Sequence, residues 1–219
     1  MAARAGSTGP LILWGAGTSR AIRAHWALAE LGLDYESRPI QPRSGETKTP
    51  EYTALTARQK IPLLQDGDFT ITESAAIIAY LSDTYATEET ALVPRSPKQR
   101  AQCLEWCFFI LSELDAASLY VIRRHRDLAD IYGAAPEVCD AAAAYFGQQM
   151  RSVERALSGC PCYLVGGRFT AADILLSTCI SWAVRYEVPV DVRVLAYNAR
   201  MTSRPAYLKA SDRNTPLVS

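Results

Sequence analysis

The chain has 219 residues, 49% of them hydrophobic, which is enough apolar material for one large or two small buried cores. Lys plus Arg and Asp plus Glu both number 23, so a formal net charge of zero supplies no global field for nucleic acid or an anionic membrane surface. The first ten residues lack a signal-peptide core and no later stretch offers about 18 uninterrupted apolar residues, so a soluble, cytoplasmic protein with small-molecule partners is expected.

Pro10-Leu-Ile-Leu-Trp14 is a short buried-strand pattern ending in Gly15-Ala-Gly17, where the chain turns. Thr18 and Ser19 offer capping oxygens to a helix whose apolar residues, Ile22, Ala24, Trp26, Leu28, Ala29 and Leu31, recur at three- and four-residue steps until Gly32. Tyr35 to Ile40 reads as a second strand, Gln41 to Thr49 as a loop, and Pro50 to Leu55 as a short helix. The apolar runs Ile61 to Leu64 and Phe69 to Ile71 flank Asp66-Gly67-Asp68, and Asp-Gly favours a hairpin because glycine takes positive φ without steric cost. Thr72-Glu73-Ser74 then precedes the helical run Ala75 to Leu81, with a serine or threonine for its N-cap.

Thr87 to Pro97 holds two prolines and few apolar residues and reads as a linker. Beyond it, Lys98 to Arg126, Glu137 to Leu157 and Ala171 to Tyr186 have helical spacing, and only Cys162 to Val165 looks strand-like. Gly166-Gly167-Arg168-Phe169-Thr170-Ala171-Ala172-Asp173 opens the last of these, with Thr170 and Asp173 spaced as a capping box and Phe169 and Ile174 as a staple. A β-α-β half followed by a β-β-α half is the thioredoxin-like order. The expected fold is therefore an α/β thioredoxin-like domain over residues 1–85 and an all-α domain over residues 94–219.

Several reactive residue types read as structural. The six cysteines form no zinc-type array: Cys103 and Cys107 are one helical turn apart without a second pair, and Cys160-Pro161-Cys162 lacks redox spacing. Free thiols and no metal are expected. His25 and His125 lie on helices with no partner in sequence for a triad or a metal site.

Taken together, the proline opening the hairpin, the Glu73-Ser74 pair where its second strand meets a helix, the Phe169-Thr170-x-x-Asp173 helix start, and Arg200-Met201 followed by Arg204-Pro205-Ala206-Tyr207 resemble the cytosolic glutathione S-transferase family. The likeness spans residues 11 to 210 and points to a bacterial-type member that uses a serine or threonine hydroxyl. It implies glutathione as co-substrate and a cis Pro62 that lets the Ile61 backbone pair with the cysteinyl backbone. It further implies Glu73 and Ser74 on the γ-glutamyl end and Lys60 on the glycyl carboxylate. Gln59 departs from the family, many of whose members have glycine there, and Thr56-Ala57 replaces a common Asn-Pro. Phe109 and Ser112 are expected in the pocket for a small apolar electrophile. The resemblance also implies a homodimer.

The chemistry to be performed is thiol activation. A thiol of pKa about 8.5 is only about 3% thiolate at neutral pH. A hydroxyl donating to the sulfur contributes about 1.5 to 3 kcal/mol and a helix N-terminus about 0.3 to 1, which lowers that pKa by roughly one to three units without metal or base. Counting back from Gly32 puts the family's serine at Thr18, whereas the Ser-Arg pair opening the helix favours Ser19. Two other readings share the fold: a glutathione-binding carrier or regulatory module with little turnover, and a thiol-disulfide oxidoreductase. The latter would want a cysteine between Ala16 and Arg20, and there is none.

Overall fold

The structure, a computed structural model, describes residues 9–159 and 162–215. It divides into two compact units, one formed by the residues up to Arg95 together with those from Ser203 on, the other by Ser96–Thr202.

In the first unit the elements run β1 Leu11–Trp14, α1 Ala21–Glu30, β2 Glu36–Arg38, a 3-10 turn Glu46–Lys48, α2 Pro50–Leu55, β3 Leu63–Asp66, β4 Phe69–Thr72 and α3 Ser74–Tyr85. The sheet order is β2-β1-β3-β4. β1 and β2 are parallel, a pairing that needs the α1 crossover, while β3 is antiparallel to both its neighbours. Alternation along β1 buries Leu11 and Leu13 completely and aims Trp14 at a second cluster with Tyr52 and Leu63. There the Tyr52 ring packs edge-on against Trp14 at 5.5 Å, and its hydroxyl donates to the Lys60 carbonyl at 2.7 Å.

Two local readings change in detail. Asp66 belongs to β3 and faces Phe69, so the tight turn is Gly67-Asp68, with Gly67 at φ 62. Buried, the Asp66 carboxylate accepts hydrogen bonds from Tyr80 at 2.8 Å and from Tyr85, both on α3, which fixes that helix on the sheet. α3 also starts without a hydroxyl cap: Glu73 is the N-cap, with φ 71, and Ser74 is the first helical residue. The segment read as a linker is anchored as well, since Ala91, Leu92 and Val93 are buried and Val93 N donates to Ser82 Oγ at 2.9 Å.

The last helix, α10 Pro205–Arg213, packs on α1 inside this first unit. Arg204 grips Glu30 with two hydrogen bonds, 2.6 and 2.8 Å, and Tyr207 lies edge-on to Trp26 at 4.8 Å. The sequence reading carried the helical domain to residue 219. What places α10 here is a set of partners about 180 residues away, which no local pattern reveals.

The second unit is helical: α4 Pro97–Phe109, a π-helical segment Ile110–Leu119, α5 Tyr120–His125, α6 Ala129–Tyr132, α7 Pro136–Leu157, α8 Ala171–Arg185 and α9 Val192–Thr202. α8 is its core, buried from Ala171 to Ile180, and its start carries the expected capping box. Asp173 accepts from Thr170 N at 2.8 Å, Thr170 Oγ1 at 2.8 Å, Leu164 N at 3.0 Å and Tyr197 Oη at 2.5 Å, a set of donors that meets its buried acceptor needs although burial raises its pKa. The strand-like stretch near Val165 is reduced to a single bridge with Arg168. Cys103 and Cys107 are buried and hydrogen-bonded to each other, while Cys160 and Pro161 lie outside the described residues. No described helix is long and apolar enough to cross a membrane.

Candidate functional site

The sheet register brings three segments to one edge. Trp14 pairs with Leu63 and Leu63 with Thr72, so the turn after β1, the Ile61-Pro62 step before β3 and the start of α3 after β4 are neighbours. The Ile61-Pro62 bond is cis. Gly15 shows how close the first two come: its φ is 112, and a Cβ there would sit 2.6 Å from the Ile61 Cβ. Both the dihedral and the approach require glycine.

His25 is scaffold for this edge. Fully buried on α1, it lies 3.0 Å from the Gly15 carbonyl through Nε2 and 2.7 Å from the Tyr35 hydroxyl through Nδ1. A carbonyl can only accept, so Nε2 carries the proton and Tyr35 donates to Nδ1. Burial lowers the His25 pKa to about 4, opposed by the Gly15 bond and aided by the charge of Arg213, and burial also raises Tyr35 to about 12. The unfolded chain therefore binds a proton that the folded chain refuses between about pH 4 and 6.5. The stability this gives is present above pH 6.5 and is lost on acidification through that window, by about 3 kcal/mol. Urea unfolding at pH 7 and pH 4.5 is expected to show a steeper loss for the parent than for His25→Gln; equal slopes would refute the assignment.

Thr18 and Ser19 stand at the start of α1, half-buried. Thr18 Oγ1 accepts from Ala21 N at 2.9 Å, so its lone pair caps the helix while its proton is left to donate. Glu73 and Ser74 occupy the start of α3, Ser74 buried and Glu73 exposed. The first main-chain bond of α3 runs from Ile77 N to Glu73 O, leaving the N–H groups of Ser74, Ala75 and Ala76 as the helix's open donors toward an anion. Glu73 holds φ 71 and ψ 116, a strained backbone for a residue other than glycine. Lys60 is exposed between Gln59 and Ile61, and Gln59 keeps a left-handed backbone, φ 52, steadied by its Nε2 bond to Thr53 Oγ1 at 3.0 Å. Gln59 therefore keeps a conformation that glycine adopts readily, but with a larger side chain.

Sequence reasoning overlooked two participants at this edge. Arg58 donates to Thr72 Oγ1 at 3.1 Å and lies 3.5 Å from Glu73, an exposed pair that holds the Glu73 carboxylate near the helix start. Asn214, just past α10, bonds to the Gly17-Thr18 turn; its only sequence signal is that asparagine often ends a helix. Phe109 and Ser112 belong to the helical unit. Phe109 meets Trp106 edge-on at 5.7 Å and lines a cleft of about 430 Å³ with Glu105, Arg151, Ser152 and Arg155. Ser112 is exposed and turns its hydroxyl to the Phe108 carbonyl at 2.9 Å, outside that lining. Among the described residues no group of His, Cys, Asp or Glu could hold a metal ion.

Residues 9–83 match the model of the glutathione S-transferase N-terminal domain. A glutathione S-transferase of Triticum aestivum is 30% identical over 219 residues, covering 96% of this chain and 97% of its own. The chain belongs to the glutathione S-transferase family. Among solved structures, a theta class glutathione S-transferase from Xanthomonas axonopodis pv. citri with glutathione bound is 29% identical at a TM-score of 0.78, covering 96% of this chain and 100% of that one. A glutathione transferase from Phanerochaete chrysosporium with oxidized glutathione shares the fold at a TM-score of 0.84 and 23% identity, covering 96% of this chain and 97% of that one. At the edge built by Thr18, the cis Ile61-Pro62 step and the Glu73-Ser74 helix start, this glutathione S-transferase presents a hydroxyl, open main-chain donors and a carboxylate.

Proposed function

We propose that this glutathione S-transferase binds glutathione along that edge and activates its thiol as thiolate for attack on a small apolar electrophile. The observation that carries the reading is the convergence of the cis Ile61-Pro62 step with two helix starts, one bearing Thr18 and the other Glu73 and Ser74. In it the Ile61 backbone pairs with the cysteinyl backbone, Glu73 meets the γ-glutamyl ammonium, and Ser74 with the first N–H groups of α3 meets the neighbouring carboxylate. Lys60 serves the glycyl carboxylate. Thr18 is preferred to Ser19 as the sulfur's partner, because its cap bond fixes the hydroxyl oxygen and leaves the proton to donate. Phe109 and Ser112 are carried by the family resemblance as electrophile contacts.

A cytoplasmic homodimer belongs to the same proposal. Large apolar side chains stand exposed in each unit, Phe69 at 44% on β4 and Phe108 at 67% on α4, as a contact between copies requires. Retention on immobilised glutathione, conjugation of an aromatic chloride by the eluted protein, and a solution mass twice the 24.0 kDa chain are expected. Retention without conjugation would favour the carrier reading. Failure to be retained would reject the site, and a monomer the dimer.

A further inference from the structure

The turn that carries Thr18 is fastened by the far end of the chain. Gly17 N donates to the main-chain oxygen of Asn214 at 2.7 Å, and Asn214 Nδ2 donates to the Thr18 carbonyl at 3.3 Å, an oxygen that also receives Ile22 N at 3.2 Å. One of these clasps lies before Gly17 and the other after Thr18, so the two residues between them have little freedom to swing. Gly17, at φ 73, takes the left-handed backbone that this arrangement demands. The clasp is itself held rigidly: Asn214 N bonds to Ala210 O at 2.9 Å, and α10 is locked on α1 by Arg204 with Glu30 and by Tyr207 with Trp26.

Stability alone does not account for an asparagine at this place. Its Oδ1 is buried with no hydrogen-bond partner among the described residues, which costs free energy, and an apolar side chain of similar size would occupy the space without that cost. Among the described residues, the side chain's one hydrogen bond is to the Thr18 peptide.

The geometry assigns Asn214 as a positioning residue that sets the direction of the Thr18 hydroxyl and, through it, the pKa of the bound thiol. This rests on the reading that Thr18 serves the sulfur. It acts by holding the Thr18 peptide, with no contact of its own to the reacting atoms, and small errors in such placement have large kinetic effects.

The test follows the ultraviolet absorbance of bound thiolate against pH in Asn214→Leu, Asn214→Asp and the parent, with glutathione affinity and thermal midpoint alongside. Asn214→Leu is expected to raise the thiol pKa by about half to one unit and to cut neutral-pH turnover about three- to tenfold, with recovery at high pH. Affinity should stay within about twofold, because Glu73 and Ser74 are untouched, and the thermal midpoint should hold or rise. Asn214→Asp removes the donor and sets a negative charge against the Thr18 carbonyl, so its pKa rise should be the larger. A lower thermal midpoint with the parent's titration in both variants would mean that Asn214 only ends a helix, and the inference fails. Thr18→Val separates the two levels: if it moves the titration and neither Asn214 variant does, this inference fails alone. If Thr18→Val leaves the titration in place, the reading beneath it fails and takes this one with it.

Discussion

Thr18→Val is expected to raise the pKa of bound glutathione's thiol by about one to two units, cutting turnover near neutral pH roughly tenfold or more while much of it returns at high pH. Valine matches threonine in shape, so the substitution removes little but the hydroxyl. It also removes the 2.9 Å cap on Ala21 N, and a lost N-cap lowers stability by about 0.5 to 2 kcal/mol. The two effects are read separately, one as a titration and the other as an unfolding midpoint. Thr18→Ser should restore both, since serine supplies the same acceptor and the same donor. Ser19→Ala is the companion measurement, expected to leave the titration near that of the parent. If Ser19→Ala moves it and Thr18→Val does not, the sulfur's partner is Ser19, as the Ser-Arg pair in the sequence first favoured. If neither does, the thiolate is held by backbone N–H groups or by another side chain.

Glu73→Gly should move stability and binding in opposite directions. A residue with a side chain at φ 71 carries strain of about 1 to 3 kcal/mol, and glycine releases it while giving back part through its looser unfolded chain, for a net gain of about 1 kcal/mol. The exposed pair with Arg58 that is lost at the same time contributes little. Binding falls, because the ligand's ammonium loses a charge-assisted partner of about 1.5 to 3 kcal/mol, at least a tenfold weakening. Glu73→Gln separates the causes: it keeps the strained backbone and removes only the charge, so affinity should drop while stability holds. Calorimetry on both variants, with urea unfolding, decides. A Glu73→Gly protein less stable than its parent would show that the φ 71 backbone carries no stored strain, and unchanged affinity in a folded Glu73→Gln would reject the ammonium pairing.

Much of the fold was legible because its signals are local. Asp-Gly spacing marks a hairpin, a proline at the first position opens α2, and Thr170 with Asp173 form a capping box, each within a few residues. The cis state of Pro62 was not derivable from the residues around it; it was expected through the family resemblance, and the structure has it. Readings that relied on local propensity alone missed where tertiary contacts override it. A hydroxyl cap for α3 is what Thr72 and Ser74 suggest, but the chain instead places Glu73 at the cap in a strained backbone, aimed by the hairpin before it. The π-helical segment Ile110–Leu119 has ordinary helical composition, so nothing in its residues distinguishes it from the α-helices on either side.

By itself the sequence determined the strands and main helices of the first unit, the long helical stretches of the second and the residue types at the candidate edge, since helix periodicity, strand alternation, turn glycines and capping hydroxyls act over a few residues. Tertiary structure alone decided that β1 would meet the cis step closely enough to exclude a side chain at Gly15, that His25 would be buried as a neutral bridge from Gly15 to Tyr35, and that Asn214 would return to clasp the Thr18 turn. Each of those joins residues far apart in the chain. Their energies come from desolvation and from hydrogen bonds between partners that only the assembled sheet and helices bring within reach.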